Sequence, residues 1–313
     1  MKFGVREICD VVFKAKTEGD LGKYHYVTGQ PVLYIDSAKA STLESASTTV
    51  YAQGGRGNAR LVAWEGEKTL TFTVEDALLS PIGFAILSGA GLLEAATTNT
   101  VKVHCTSQAI MTYSAASGYS IDLSLLLPNI DTDKLDASSP IFVMKTAEDG
   151  SLTGLMYGGF SIGEGEQSLN ATSTNFTVST GDVNDKPNSN QTVFVDYYVE
   201  RDEGVQELTI GAENFAGYYY VEASTLFRRQ YDGVDLPAEI TFPNVKIQSN
   251  FTFSMASSGD PSTFTFTMDA MPGYTMQELT KTSGEKKKVL CAIQIVEEDI
   301  QDASALGRDS IKD

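Results

Sequence analysis

Along much of this chain apolar and polar residues alternate with a period of two, the pattern of strands with one face on a core and the other in water. From 68 to 75, Leu70, Phe72 and Val74 point one way while Thr69, Thr71 and Thr73 point the other. The short run 60–64 precedes it, and the turn chemistry of Glu65-Gly66-Glu67 predicts a hairpin joining the two. A second hairpin is written further on. Val245, Ile247, Phe251, Phe253 and Met255 share one face of its first strand, and Lys246, Gln248, Asn250, Thr252 and Ser254 share the other. After a turn at 257–262, Phe264, Phe266 and Met268 alternate with Thr263, Thr265, Thr267 and Asp269. Further strands are expected at 31–36, 100–106, 140–145, 152–162, 175–179, 192–200, 205–210, 217–226 and 288–296, with a turn at Asp149-Gly150.

Helical signals are few. The best lies within 74–92, where Asp76 could cap, Leu78, Leu79, Ile82, Ile86 and Leu87 could form one face, and Gly89 and Gly91 would stop the helix. Two stretches read as loops, 43–58 and 181–190. A long loop without structure of its own is uncommon in a folded domain, so the first asks for a function such as reaching a neighbouring subunit. The class expected is mainly β: a β-sandwich with one flanking α-helix and an inserted β-rich subdomain. The sandwich would be discontinuous, 1–106 with 191–296, around an insertion at 107–190, and 297–313 would be an acidic tail.

Composition narrows what such a protein does. Hydrophobic residues at 42% and charged residues at 20% describe a folding chain, and 313 residues can bury a sizeable core without disulfides or metal. Acids outnumber bases 41 to 23, a net charge of −18, so the surface repels phosphate and affinity for nucleic acid is not expected. The opening MKFGVREICDVVFKAK lacks the apolar stretch of a signal peptide, which predicts a protein kept in a reducing cytoplasm. No window has the run of apolar residues that a membrane helix needs.

Candidate chemistry is sparse. Cys9, Cys105 and Cys291 have no metal-ligand spacing, and the two histidines, His25 and His104, sit in unrelated strand contexts. His104 and Cys105 are adjacent in a strand and so face opposite ways. Gly54-Gly55-Arg56-Gly57 lacks the Lys-Ser/Thr and helix of a phosphate loop. The acids of 297–302 lack the alternation and central glycine of a calcium loop. Glu285-Lys-Lys-Lys288 reads as a charged turn or one side of a subunit contact, and the tyrosines at 197–198 and 218–220 as core or interface. No cofactor and no enzymatic activity are expected.

Several blocks, taken in order, resemble the bacteriophage tail tube (major tail) proteins. They are RLVAWEGEKTLTFTVE running into DALLSPIGFAILSGAGL, then QTVFVDYYVE, then the long block from Phe215 to Gly273 with GYYYVEASTLFRR and EITFPNVKIQSNFTFSMASSGDPSTFTFTMDAMPG. The likeness covers about half the chain and is one of pattern and order. It implies a virion structural protein, assembled in the host cytoplasm, whose rings stack as hexamers into a tube through which DNA is ejected. Its partners would be further copies of itself and other tail proteins, a sheath included, with DNA passing unbound and no membrane involved. It makes Leu43, Tyr51, Gly54, Gly55, Arg56, Gly57 and Asn58 part of the loop reaching a neighbour. It makes Thr69, Thr71, Thr73, Lys246, Gln248, Asn250, Thr252, Thr263, Thr265, Thr267 and Asp269 candidates for the lumen wall, where a carboxylate such as Asp269 would neutralise Lys246. Two alternatives remain: a phage capsid or decoration protein, which would share the acidity and β content, and a carbohydrate-binding tail module or depolymerase, suggested by the tyrosines.

Overall fold

The computed structural model describes residues 2–5, 7–21, 24–78, 80–129, 132–179, 187, 190–251 and 263–296. The expected turn at 257–262, the tail at 297–313 and nearly all of the loop at 181–190 lie outside them. The fold is mainly β, as the alternation predicts, and the chain divides into two compact units: residues 1–93 with 208–313, and residues 94–207.

In the first unit, strands follow the order Pro31–Ile35, Asp10–Ala15, Tyr218–Arg229, Asp235–Ile247, Phe264–Ala270, Ala59–Asp76 and Ala38–Gly54, each antiparallel to its neighbours. Sequence-distant segments thus meet in the middle of the sheet. One face of it is the core. Val11, Phe13, Phe72, Val74, Val221, Phe242, Val245, Ile247, Phe264, Phe266 and Met268 are buried there together with Ile86 and Leu87. Phe72 stacks on Phe242 at 4.8 Å between ring centres, joining two strands that are not neighbours. Each such phenyl contributes about 1.5–3 kcal/mol by leaving water. The alternation of Phe264, Phe266 and Met268 with Thr265, Thr267 and Asp269 is borne out, the first three buried and the others turned away from the core.

The helix is Pro81–Ser88, shorter than the segment that suggested it. Ser80 caps it by accepting the Gly83 N–H at 2.9 Å, and Gly89 ends it in the left-handed conformation, φ 69°. Pro81 takes the first helical position, where its missing N–H costs nothing. Asp76 is therefore not the cap. It ends a strand, and its carboxylate accepts from the Ser37 hydroxyl and from the Leu78 N–H at 3.1 Å, fixing the bend between sheet and helix.

Residues 43–58 depart most from expectation. They are not a loop but most of the strand Ala38–Gly54 and the turn after it, and Ala59–Asp76 runs back alongside without a break. The Glu65-Gly66-Glu67 turn between 60–64 and 68–75 does not form either: Thr49 pairs with Glu65 and Ser47 with Lys68, so the extra residues are absorbed as a bulge in one strand. The β-branched run Thr48-Thr49-Val50 was the signal for this, outweighed in the reading by the small polar residues around it.

The second unit has its own sheet, in the order Ser161–Ile162, Ser168–Ala171, Gly118–Asp122, Val101–Ser114, Gln191–Arg201, Phe142–Thr146, Leu152–Gly158 and Thr177–Val178. The expected insertion at 107–190 falls inside it, but the unit also takes the flanking strands. Val101–Ser114 and Gln191–Arg201 pair without interruption from Val101 opposite Arg201 to Met111 opposite Gln191, and that ladder holds them in one sheet. Its core is separate, built on Met111, Tyr119, Ile121, Leu123, Tyr157, Leu169, Val193, Val195 and Tyr197. At its edge two carboxylates are buried and used. Asp133 meets Arg201 Nε at 3.1 Å, and Asp136 meets Lys102 Nζ at 2.7 Å and accepts from Ser138 and Ser139. Burial raises the Asp136 pKa, but the bonds from Lys102, Ser139 and Ser138 outweigh it and hold the carboxyl well below the usual range.

Candidate assembly surfaces

Two surfaces of the first unit carry the residues singled out above. The first is a two-stranded ribbon. Near its root, between the strands Ala38–Gly54 and Ala59–Asp76, Phe72 opposite Leu43 and Val74 opposite Ser41 rest on the core. Further out, it is open to solvent among the described residues. From Thr49 to Gly54 and from Ala59 to Lys68 every position except Ala52 and Gly54 is exposed, and those two are half-buried. Cross-strand pairing sets Val50 opposite Trp64 and Ala52 opposite Val62 on one face, with Tyr51 opposite Ala63 on the other. Trp64, the chain's single tryptophan, is 55% exposed and Val50 64%. The Arg60 guanidinium lies 4.2 Å from the centre of the Tyr51 ring and shields part of it.

The tip is built for a tight reversal. Gly55 and Gly57 have φ of 80° and 89°, Asn58 has φ of 51°, and the Asn58 N–H donates to the Gly55 carbonyl at 3.2 Å. Gly54, Gly55, Arg56, Gly57 and Asn58 are therefore the reversal itself. Leu43 belongs to the root and Tyr51 to the shaft. The exposed apolar set of Val50, Leu61, Val62 and Trp64 was missed by the sequence reading, which folded 60–64 onto 68–75.

The second surface is the polar face of the same sheet. Register brings Lys246, Asp269, Thr71 and Glu44 into one row across four strands, with Thr267, Thr73 and Thr42 in the next. Thr69 and Thr265 continue the face, and Gln248 joins it by donating from Nε2 to both Asp269 oxygens at 3.0 and 3.1 Å. Thr71 donates to Asp269 Oδ1 at 3.3 Å. Asn250 lies past the end of its strand, Thr263 just before its own, and Thr252 outside the described residues.

Lys246 is not neutralised by Asp269. Its ammonium donates to the Ala216 carbonyl and lies 5.0 Å from the centre of the Tyr218 ring, because Tyr218 is its partner on the other side of the strand, while Gln248 and Thr71 occupy Asp269. Lys14, on the same face, is ion-paired with Glu222. Glu44 and Glu75 are also on this face, and among the described residues neither has a cation within ion-pair distance.

Elsewhere the titratable groups are dispersed. His25 meets Asp20 at 2.7 Å and His104 meets Asp196 at 2.9 Å, both at the surface, and among the described residues neither imidazole is hydrogen-bonded to a serine, threonine or cysteine. His104 and Cys105 do face opposite ways, the thiol packing toward the second core. Burial pushes the Cys291 thiol up to about 11 and raises Cys105 as well, the charge of Asp133 adding to the latter, so neither is a thiolate near neutral pH. Among the described residues no group of three His, Cys, Asp or Glu side chains is placed to hold a metal, and no helix is long and apolar enough to cross a membrane.

A family model described as the YomU/Tube protein family matches residues 5–116 and 160–284, well over half of the chain. Both surfaces fall within the matched segments, and the intervening 117–159 lies in the second unit. No curated protein matches the chain.

Proposed function

The chain belongs to the YomU/Tube protein family, and on that premise, which makes it a phage tube-like structural protein of the virion tail, we propose that it polymerises through its ribbon into stacked rings, six subunits to a ring, that form the conduit for DNA ejection. The observation that carries this reading is the shaft of the ribbon. An isolated two-stranded hairpin is at best marginally stable in water, yet this one extends past its core with Trp64, Val50 and Val62 open to solvent. A neighbouring copy packed on that face would bury these side chains and complete the support that the subunit alone lacks.

The polar face supplies the second half of the reading. A wall of Thr69, Thr71, Thr73, Thr265, Thr267, Gln248 and Asp269, with the carboxylates of Glu44 and Glu75 on the same face, stays wet and repels a polyanion. Duplex DNA carries about one negative charge per 1.7 Å of axis, so weak attraction in each ring would accumulate along a tail and stall the cargo. Among the described residues its lysines are already engaged, Lys14 by Glu222, Lys16 by the Pro243 carbonyl and the Asn244 side chain, and Lys246 by a carbonyl and a ring. A net charge of −18 keeps the free subunit from precipitating before assembly.

Negative-stain electron microscopy of concentrated protein is the test. Hollow tubes are expected from the intact chain, and none from a variant in which 49–65 is replaced by a two-residue turn, with circular dichroism and monomer size unchanged. Tubes from the shortened variant would reject the ribbon as the assembly element. Closed shells or solid fibres from the intact chain would reject the conduit.

A further inference from the structure

In the first unit the strand order ends on Ala38–Gly54 at one edge, where the ribbon stands, and on Pro31–Ile35 at the other. Beside that second edge lies a recess of about 230 Å³. Val32 lines it from the edge strand, Leu21 and Tyr26 from the paired strands Gly19–Leu21 and Tyr24–Tyr26, and Ile86 from the helix. Phe215 and Tyr219 close it where the chain enters the strand Tyr218–Arg229. Small-molecule sites run to about 300–1,000 Å³, so this recess has room for little more than one large side chain.

Its chemistry narrows what fits. Among the described residues that line it none carries a charge, although charged residues make up 20% of the chain. Leu21, Val32 and Ile86 give apolar walls, and Tyr26 and Tyr219 add two hydroxyls. Tyr219 is fixed by its ring, edge-on to Phe13 at 6.0 Å between centres. Burial, with Tyr26 beside it, pushes the Tyr219 phenol up to about 12, so it stays neutral near pH 7. A carboxylate or an ammonium entering here would lose its water and find no opposite charge. A flat apolar ring with one N–H to donate would be satisfied, and that is an indole.

The chain's single tryptophan stands on the ribbon at the opposite edge, 55% exposed, with Val50 across from it and Val62 on the same face. Resting on the ribbon-borne assembly argued above, we propose that the recess is the socket for Trp64 of a second copy. The indole enters between Val32, Ile86 and Tyr219 and donates its N–H to a tyrosine hydroxyl, while Val50 and Val62 cover Phe215, which stands 70% exposed at the mouth. Knob and socket lie at opposite edges of one sheet, so the contact is heterologous: each subunit gives one and receives one, and copies add head to tail until the rotation closes a ring. One tryptophan seated in a fitted pocket is the kind of anchor that carries most of an interface's affinity.

Two variants with complementary defects test the pair. Trp64→Ser removes the knob and keeps the socket. Val32→Trp fills the socket and keeps the knob, and Leu21→Trp fills it from another wall if the edge strand does not tolerate the first change. Circular dichroism of each should match that of the intact chain. In sedimentation velocity at high concentration each variant alone should be a monomer, and their mixture should give a one-to-one dimer that grows no further, because a single knob and a single socket remain and both are used. Adding Trp64→Ser to the Val32→Trp chain should weaken that mixed dimer at least about thirtyfold. A mixture that stays monomeric, or a Val32→Trp chain that associates by itself, would overturn the socket. The readout is one contact between two chains and is separate from the tube. Tubes from the intact chain without a mixed dimer would remove the socket and leave the ribbon-built tube standing, and a mixed dimer from a chain that builds no tubes would do the reverse.

Discussion

The root and the shaft of the ribbon are made by the same two strands, in one antiparallel ladder with bulges in both halves, and differ above all in what lies beneath them. At the root Phe72 is 1% exposed and stacked on Phe242; on the shaft Trp64 is 55% exposed and touches no core. Both halves are paired antiparallel, and each backbone hydrogen bond adds only about 1 kcal/mol net. Burial therefore decides the difference. The root belongs to the stability of the subunit and the shaft to whatever covers it, so substitutions along one strand should change character within ten residues.

The largest effect is expected at the root. Phe72→Ala removes a ring from a packed core and should cost about 3–5 kcal/mol, seen as a large fall in melting temperature of the monomer. A small fall would mean that the root is no better supported than the shaft. Next is Asp76→Ala, which strips the buried acceptor from Ser37 and from the Leu78 N–H. It should cost about 1–3 kcal/mol in denaturant titration. At the tip, Gly57→Ala forces a side chain into φ 89° with open space around it, so backbone strain alone acts and about 1 kcal/mol is expected. Trp64→Ser is the sharpest test because its effect on the monomer is the smallest, within about 0.5 kcal/mol. Tube formation followed by light scattering should nevertheless be lost, and the intrinsic fluorescence of the intact protein should shift to shorter wavelength on assembly. A Trp64→Ser protein that polymerises normally would erase the distinction between the halves.

The second unit gives a contrast in pH. Asp136 has a folded pKa below its unfolded value, so its contribution is present above the unfolded pKa of about 3.9 and is lost as pH falls toward the folded one. The unit 94–207 should lose stability on acidification below about pH 4, and Asp136→Asn should flatten that dependence in thermal melts.

What the sequence alone determined was local. Period-two alternation named the strands at 31–36, 192–200 and 217–226 and the faces of 264–268, because a side chain's direction in a strand depends only on its neighbours. It gave the mainly β class, and the order of its blocks gave the tube family. It also picked out Thr71, Thr73, Lys246, Thr267 and Asp269 as polar-face residues. Only the tertiary structure decided partners. Whether 60–64 folds onto 68–75 or pairs with 49–53 depends on register between strands, and a bulge at Gly66 and Glu67 tips that balance without leaving a pattern in composition. Likewise, Lys246 could reach a carboxylate across one strand or a carbonyl and a ring across the other. The geometry of the sheet, with Tyr218 on its open side and Gln248 claiming Asp269, made the choice. Long-range pairing sums many weak contacts over distant residues, and no single stretch of sequence carries that sum.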